Sequence, residues 1–257
     1  MPRGLLPGGV EVTFQRALLV AGKGGVGKTT LAILLAFHWV RAGKEVGLLD
    51  ANLSSPDVPV LLGLESQGIE GLMEGIEPAE PMEGLKVVSM GLFLHRPSTP
   101  VTWRGPIRHG VLRQFLQKTR WGKLDLLVVD LPPGIGEELL SLVHLLRDKA
   151  RGLLVATDER LSQLELKRLC SFFEQARVPV VGWVQNRYSG EGEIKLPVAK
   201  IASLPSDPQL REWRGGPLKA PLSRTIEEIA SHCEEAMAKT APPVTVTARL
   251  LYNLRRG

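Results

Sequence analysis

The sequence predicts an α/β fold, a doubly wound and mostly parallel sheet flanked by helices. Short apolar segments alternate with longer segments of helical periodicity, which is typical of a parallel sheet covered on both faces. A glycine-rich turn at residues 22–27 joins the first of these strands to a helix. Polar residues recur where the apolar segments end, and ligands of such sheets bind beyond the carboxyl ends of the strands. We therefore expect a binding site at that edge.

The first half of the chain supplies three predicted strands and two long predicted helices. Residues 1–14 are broken by prolines and paired glycines and predict an irregular extension. A broad apolar face repeats at helical spacing over residues 30–42 and ends at Gly43, and Pro106 suits the first turn of the second helix. Residues 60–84 are rich in Gly, Glu and Pro and predict short helices and loops. The predicted strands are Ala17–Val20, Glu45–Leu49 and Leu85–Met90.

The second half of the chain continues the alternation. Its apolar segments predict buried strands, and its amphipathic segments predict the helices between them. The predicted strands are Leu126–Val129, Gly152–Ala156, Val178–Val184 and Ala199–Leu204. The predicted helices are Glu137–Arg147, Leu161–Ala176 and Ser223–Lys239. We expect an N-terminal extension over residues 1–15, one α/β domain over residues 16–240 and a basic tail over residues 241–257.

Composition narrows the class of protein. The formal net charge of +5 and the pI of about 9.4 are mildly basic, without a Lys/Arg block strong enough to indicate nucleic acid. The two cysteines, Cys170 and Cys233, fall in separate helical segments, which favours a reducing cytoplasm over a disulfide framework. The N-terminus lacks the continuous apolar core of a signal peptide. The longest apolar run, Leu31–Val40, is about ten residues and too short to span a bilayer. We expect a cytoplasmic protein.

The turn at residues 22–27 predicts a nucleotide site. Four residues, Gly22, Gly27, Lys28 and Thr29, match the pattern G-x-x-x-x-G-K-T. The glycines let consecutive N–H groups face phosphate oxygens, and the following helix adds its positive N-terminal end. Lys28 would reach the β- and γ-phosphates as a catalytic cation, and the Thr29 hydroxyl would bind Mg²⁺. The candidate nucleotide-binding residues here are Gly22, Lys23, Gly24, Gly25, Val26, Gly27, Lys28, Thr29 and Thr30.

Two aspartates at strand ends complete a predicted magnesium site. Asp130 ends a fully apolar predicted strand about 100 residues after the phosphate loop, and it would hold Mg²⁺ directly or through water. Asp50 ends the second predicted strand and is a candidate ligand together with Thr29. Behind Asp130, Gly134 could bring its backbone N–H to a terminal phosphate.

One additional lysine places the phosphate loop in a subgroup. The segment GKGGVGKT has Lys23 directly after its first glycine, and it resembles the deviant Walker A motif of the MinD/ParA/Mrp group of P-loop ATPases. In that group the extra lysine reaches across a dimer interface to the partner's nucleotide. The resemblance therefore implies a homodimer and makes Lys23 a catalytic candidate beside Lys28.

The middle of the chain resembles the Mrp-type branch, the ATP-binding iron–sulfur cluster carriers. The segments VTWRGPIRHGVLRQFL and WGKLDLLVVDLPPG carry this resemblance, as does the later IASLPSDPQLREWRGGPLKAP. The match as a whole extends over roughly residues 16–235. The resemblance implies ATP and Mg²⁺ as ligands. Core packing is the alternative role for the two tryptophans of these segments. The matching residues are Trp103, Arg104, Gly105, Pro106, Gln114, Phe115, Trp121, Asp125, Asp130, Pro132, Pro133 and Gly134.

Asn186 indicates which base is bound. It is expected at the end of the strand that begins at Val178, followed by Arg187, and an asparagine at this place commonly reads the adenine ring in the resembled group. A guanine-specific site would show N-K-x-D, which does not occur in the sequence. ATP is therefore favoured over GTP, with Asn186 and Arg187 as candidate contacts. A plain turn asparagine is the alternative for Asn186.

Two departures from the resembled family bear on function. The family's Cys-x-x-Cys motif follows the adenine-reading asparagine, whereas residues 187–220 contain no cysteine. Thiolates are the usual ligands of iron–sulfur clusters, so the sequence argues against cluster carriage of the family kind. The family's D-A-D segment is here Asp50, Ala51 and Asn52. Its second aspartate is taken to orient the attacking water, and Asn52, a candidate catalytic residue, can accept no proton. We therefore expect slow or lost hydrolysis.

Two smaller departures lie in neighbouring segments. Asp57 stands where the family has serine, and it could replace the missing carboxylate only if its loop bends back toward the phosphates. In the turn after Asp130, Ile135 and Glu137 replace the family's Thr and Asp. This exchange removes a hydroxyl near the site.

Three functional interpretations remain open at this point. The first is an Mrp-type ATP-binding protein that serves iron–sulfur assembly, with an assembly or client protein as its partner. The second is a MinD/ParA-like positioning ATPase, because the tail VTARLLYNLRRG is basic and amphipathic and could touch an anionic membrane. Packing of that tail on the protein itself is the alternative. The third is a regulatory module that uses nucleotide only for structure.

Overall fold

The computed structural model of the protein describes residues 5–6, 10–11, 14–65, 68, 75–93, 105–188, 196–210, 213 and 216–239. Two short strands, β1 (Leu5–Leu6) and β2 (Val10–Glu11), pair antiparallel in a small separate sheet. The main sheet has eight strands, β3 (Ala17–Gly22), β4 (Val46–Asp50), β5 (Ala79–Met82), β6 (Leu85–Ser89), β7 (Leu126–Asp130), β8 (Ala150–Ala156), β9 (Val180–Tyr188) and β10 (Lys200–Pro205). Their order is β10-β9-β8-β3-β7-β4-β6-β5, and only the β5–β6 pair is antiparallel. The predicted doubly wound, mostly parallel fold is confirmed.

Helices cover both faces of the main sheet. The helices are α1 (Lys28–Arg41), α2 (Val58–Leu62), α3 (Gly105–Lys118), α4 (Glu137–Leu146), α5 (Arg160–Gln175) and α6 (Leu222–Ala238). Successive side chains of a strand point to opposite faces. Leu18 of β3 therefore packs in one core with α1 and α6, and Leu19 packs in the other with α3, α4 and α5. All six residues of β3 are buried, as expected for a central parallel strand.

Three parts of the chain differ from the sequence-based expectation. The predicted irregular extension contains the β1–β2 pair, in which Leu6 opposes Val10. The segment predicted as short helices and loops contributes the antiparallel edge strand β5. Strand β9 runs on to Tyr188, so Asn186 lies within the strand and not at its end. Neighbouring β10 pairs along this stretch, with Leu204 opposite Asn186, and tertiary pairing thus extends the strand through polar residues.

The strand order brings the candidate site residues to one edge of the sheet. In the parallel register, β7 lies between β3 and β4, with Asp130 opposite Val20 on one side and opposite Asp50 on the other. Gly22 is the last residue of β3. The phosphate loop and both aspartates therefore meet at the carboxyl edge, where ligands of open α/β sheets bind.

Some sequence-based expectations fall on residues outside the described ranges. They include Trp103, Arg104 and the tail 241–257. Trp121, by contrast, is 3% exposed in the core, and its Nε1–H donates to the Phe115 carbonyl at 3.0 Å. Within the described ranges, none of the helices has the length and apolar character that crossing a membrane requires.

Candidate nucleotide site

The phosphate loop encloses a cavity at the start of α1. Gly25 and Gly27 have φ values of +78° and +92°, a conformation that residues with a Cβ rarely adopt. These turns bring the loop over the N-terminus of α1, whose free N–H groups favour an anion. The adjoining cavity of about 330 Å³ is lined by Gly24, Gly25, Gly27, Lys28, Thr29, Thr30, Asn52, Asp57, Val60, Leu61, Leu131, Pro133 and Arg187.

Two loop glycines lie too close to other groups to carry a side chain. A Cβ on Gly22 would stand 2.3 Å from the Val155 carbonyl oxygen of neighbouring β8. A Cβ on Gly27 would stand 2.3 Å from Asn186 Nδ2. The glycine spacing of the motif thus reflects the close approach of the β8 backbone at Gly22 and of the Asn186 side-chain amide at Gly27.

Lys28 is buried beneath the loop. Its side chain is only 7% exposed, and its Nζ donates to the Lys23 carbonyl at 3.0 Å. Burial lowers the pKa of the Lys28 ammonium, and the charges of Asp130 and Asp57 oppose this shift. An anionic phosphate in the adjoining cavity would add further negative charge beside the buried ammonium.

Thr29 and Asp130 form a pair suited to Mg²⁺. The Thr29 hydroxyl donates to Asp130 Oδ2 at 2.6 Å. The other carboxylate oxygen, Oδ1, is buried and has no hydrogen-bond partner among the described residues. Burial raises the pKa of Asp130 to about 7, against the opposing effects of the Thr29 hydrogen bond and the Lys28 charge. Mg²⁺ prefers carboxylate, hydroxyl and water oxygens, so this unpartnered oxygen beside Thr29 fits the predicted ion.

Asp50 lies beside Asp130 but is already satisfied by its own chain. Its Oδ1 accepts from the Asn52 N–H at 3.0 Å, and its Oδ2 accepts from the Ser89 hydroxyl at 2.9 Å and the Val58 N–H at 3.3 Å. Burial and the charge of Asp130 raise its pKa well above the usual range. Direct coordination of a metal by Asp50 would need these hydrogen bonds to break. Its observed contacts instead fix the loop that carries Asn52.

The loop after β4 places two polar side chains at the cavity. Asn52 lines it, and its Nδ2 donates to the Ser55 carbonyl at 2.6 Å. Asp57 also lines it, because the loop bends back to form the short helix α2. Asp57 thus supplies an exposed carboxylate at the same cavity as Lys28, while Asn52 is neutral and tied to its own loop.

The turn after Asp130 contacts both the phosphate loop and α3. The Gly134 N–H, predicted to face a terminal phosphate, here donates to the Gly22 carbonyl at 3.3 Å. The Glu137 carboxylate lies against Gly105, where a Cβ would approach it to 2.0 Å. This position sets a negative charge at the N-terminus of α3, where the helix dipole favours it.

Asn186 supports the loop from the side opposite Asp130. Its Nδ2 donates to the Val26 carbonyl at 2.7 Å, and its Oδ1 accepts from the Arg187 N–H at 3.0 Å. A second cavity of about 430 Å³ adjoins the first at Gly27 and Thr30. It is lined by Gly27, Thr30, Asn186, Arg187, Pro205, Ser206, Asp207 and Leu210, so it offers space for a base beside the phosphate loop.

Lys23 has a partner that the sequence did not indicate. Its Nζ lies 3.2 Å from Glu159 Oε2, at the start of α5. The two side chains are 35% and 69% exposed, so this ion pair is weak and easily exchanged. Glu159 is 136 residues away along the chain, and no local motif marks it.

The two cysteines do not form a metal site. Cys233 is fully buried in α6, and Cys170 of α5 is 7% exposed. Burial raises the pKa of the Cys170 thiol to about 11 and that of Cys233 to about 12. The two residues lie in different cores, on opposite faces of the main sheet. They therefore do not fit the thiolate ligands of an iron–sulfur cluster.

These features define the class of protein: a P-loop NTPase with a deviant Walker A loop on a doubly wound sheet. A family model described as ParA, NUBPL iron-transfer P-loop NTPase, matches residues 13–191. The chain belongs to this family, and the predicted resemblance to Mrp-type P-loop ATPases is confirmed.

Curated relatives are named as iron–sulfur cluster carrier proteins. An iron–sulfur cluster carrier protein of Methanocaldococcus jannaschii is 37% identical over 172 residues, which are 67% of this chain and 59% of the relative. The carrier protein of Saccharolobus solfataricus is 33% identical over 241 residues, which are 85% of this chain and 81% of the relative. This chain therefore spans less than two thirds of some relatives and most of others.

Solved structures share the fold. A nucleotide-binding protein of Archaeoglobus fulgidus in complex with ADP is 27% identical, with a TM-score of 0.61 over 90% of this chain and 93% of that chain. The cell division ATPase MinD of Pyrococcus furiosus is 19% identical, with a TM-score of 0.64 over 86% of this chain and 99% of that chain. The second likeness concerns the fold alone.

Proposed function

We propose that this chain is an ATP-binding protein whose nucleotide state controls formation of a homodimer, with slow hydrolysis. We propose further that it serves iron–sulfur metabolism in the cytoplasm, as do relatives such as the cytosolic Fe-S cluster assembly factor NUBP2 homolog of Dictyostelium discoideum by its name. The observation that carries the proposal is the arrangement of the phosphate loop, Lys28, Thr29 and Asp130 beside a neutral Asn52. Binding residues are in place while the carboxylate expected for hydrolysis is missing.

Each residue at this site has its own task in nucleotide binding. The loop N–H groups from Gly24 to Thr29 and the α1 N-terminus bind the phosphates. Lys28 exchanges its bond to the Lys23 carbonyl for the β- and γ-phosphate oxygens. Thr29 and Asp130 would hold Mg²⁺, which would supply positive charge beside the phosphates. Asn186 keeps the loop carbonyl of Val26 turned away from the anion.

Hydrolysis is slow because position 52, which would orient the attacking water, carries an amide and not a carboxylate. The Asn52 amide can hydrogen-bond a water but cannot accept its proton, and it is held by the Ser55 carbonyl. Asp57 brings a carboxylate to the same cavity, where its charge acts on Lys28 and Asp130, and we propose that this exposed side chain does not take over the task of position 52. The chain therefore remains loaded with ATP for long periods.

Dimer formation depends on release of Lys23. In the described arrangement Lys23 is paired with Glu159 of its own chain at 3.2 Å. This exposed pair is weak, so a nucleotide bound in a second copy offers Lys23 a stronger anionic partner. ATP binding in each copy thus favours association.

One experiment tests dimer formation and turnover together. We expect wild-type protein to sediment as a dimer with Mg–ATP and as a monomer with ADP. We also expect its ATP turnover to be slow enough for position 52 to limit it. Lys23→Ala is expected to remain monomeric with ATP. Asn52→Asp loses the bond to Ser55, places a carboxylate at the cavity and is expected to raise turnover at least about tenfold.

Asn52→Ala is the matched control for the gain in turnover. It also loses the Ser55 bond but adds no carboxylate, so its turnover is expected to stay at or below that of wild type. Rapid wild-type turnover that Asn52→Ala leaves unchanged would contradict the role of position 52. A wild-type monomer with ATP would contradict the dimer.

Cluster carriage is tested separately by anaerobic reconstitution with iron and sulfide. The cysteines are buried and protonated, so we expect no stoichiometric cluster absorbance in the visible spectrum of the purified protein. The Cys170→Ala/Cys233→Ala variant serves as the blank for nonspecific iron. A cluster of one per dimer in wild type, lost in that variant, would show that the thiols bind it after all.

A further inference from the structure

Gln185 is a buried amide that joins β9 to β10 and to the loop after β8 at the carboxyl edge of the sheet. It is fully buried in β9, directly before Asn186. Its Nε2 donates to Asp158 Oδ1 at 2.5 Å, in the loop after β8. Its Oε1 accepts from Lys200 Nζ at 3.3 Å and from the Ser203 hydroxyl at 3.4 Å, both in β10. The amide therefore uses both its donor and its acceptor within the protein.

The bond from Gln185 to Asp158 closes a ring of contacts around the phosphate loop. On one side, the next residue along β9, Asn186, donates to the Val26 carbonyl at 2.7 Å. On the other side, the residue after Asp158, Glu159, accepts from Lys23 at 3.2 Å. The two loop residues that are held, positions 23 and 26, lie on either side of the exposed glycines 24 and 25. The Gln185–Asp158 bond connects these two supports.

We propose that Gln185 is a positioning residue of the nucleotide site: through Asp158 it fixes the two supports of the phosphate loop relative to each other before nucleotide binds. The inference rests on the proposed nucleotide-binding function. Gln185 itself is fully buried and lines neither of the two cavities at the phosphate loop. It acts on affinity, because a loop already held in its binding shape loses less conformational freedom on binding.

The bond is well placed to transmit this constraint. It is short and buried at Gln185, and hydrogen bonds are stronger away from water. The Lys200 and Ser203 bonds at the other end of the amide fix its orientation, so its Nε2 must face Asp158. If the bond to Asp158 is broken, Glu159 and Asn186, which hold the two sides of the phosphate loop, are no longer fixed relative to each other.

The test exchanges the donor and the acceptor of the hydrogen bond between Gln185 and Asp158. Gln185→Glu keeps the volume and the acceptor for Lys200 and Ser203, but it sets two carboxylates against each other at Asp158. We expect the Kd for Mg–ADP, measured by isothermal titration calorimetry, to rise about tenfold. In the double variant Asp158→Asn/Gln185→Glu the donor and acceptor are exchanged and the bond is restored. Its Kd is expected to return to within about threefold of wild type.

Ser203→Ala is the matched control. It removes one contact of the Gln185 amide on the β10 side and leaves the ring intact, so the Kd is expected to stay within about twofold of wild type. The free energy of unfolding is measured for every variant, and the Kd of each variant is measured under conditions in which that variant is fully folded.

The outcomes separate this inference from the proposed function. Gln185→Glu with lowered stability but an unchanged Kd would mean that Gln185 only joins strands, and it would overturn the inference. A raised Kd that the double variant fails to restore would also overturn it. Wild-type protein that binds neither ADP nor ATP would instead overturn the proposed function.

Discussion

Replacing Gly22 by alanine is expected to lower the free energy of unfolding by about 3 kcal/mol or more. The new Cβ would stand 2.3 Å from the Val155 carbonyl oxygen, and the obstacle is backbone of a neighbouring central strand. Strands β3 and β8 are paired along six residues, so neither can shift without loss of ladder hydrogen bonds. Urea denaturation of the nucleotide-free protein measures the change.

Gly24→Ala is the matched control in the same loop. A Cβ there meets Pro133 Cβ at 3.6 Å and Cγ at 3.8 Å, both ordinary contacts, and Gly24 is exposed. Its free energy of unfolding is expected to stay within about 0.5 kcal/mol of wild type. Equal stability of the Gly22→Ala and Gly24→Ala variants would contradict the close approach of the loop to β8.

Replacing Lys28 by alanine is expected to raise the Kd for ADP and ATP at least about 100-fold. The ammonium is buried beneath the loop, and its loss leaves the phosphates without their nearest cation. The free energy of unfolding without nucleotide should not fall, because burial already lowers the pKa of Lys28 and its removal relieves a desolvated charge. Calorimetric titration measures the Kd, and denaturation with and without Mg–ATP measures the ligand-dependent stabilisation.

Lys23→Ala provides the comparison within the loop. Lys23 is paired with Glu159, one of the two supports of the phosphate loop, so its loss is expected to raise the Kd for ADP by no more than about tenfold, well short of the effect of Lys28→Ala. If Lys28→Ala bound ADP as tightly as Lys23→Ala, the assignment of Lys28 to the phosphates would be wrong.

The phosphate loop and its magnesium pair were accessible to sequence reasoning because their signals are local. Glycine spacing reports backbone turns, and Gly25 and Gly27 indeed have positive φ. An apolar run that ends in a carboxylate indicates a strand whose last residue, Asp130, lies at the carboxyl edge of the sheet. The β3–β7 register then brings Thr29 and Asp130 to 2.6 Å, although they are 101 residues apart.

The residues that hold the phosphate loop in place could not be predicted from the sequence in the same way. Glu159, Asp158 and Gln185 stand in no motif, and only the adjacency of β3, β8 and β9 brings them together. Asp50 is the opposite case, because its local pattern indicates a role that its contacts in the fold oppose. Its position at a strand end predicts a metal ligand, but Ser89 and two backbone N–H groups occupy its oxygens. Such partners come from other segments and leave no trace in the local pattern.

The sequence by itself determined the fold class, the nucleotide motif, the family resemblance and the two missing chemical groups, the cysteine pair and the second aspartate. Each depends on residue types at fixed spacing along one segment. Only the tertiary structure decided which groups are already partnered: Lys23 with Glu159, Asn52 with Ser55, and Gln185 with Asp158. The physical reason is that a hydrogen bond depends on distance in space, which strand order fixes between segments that the sequence keeps far apart.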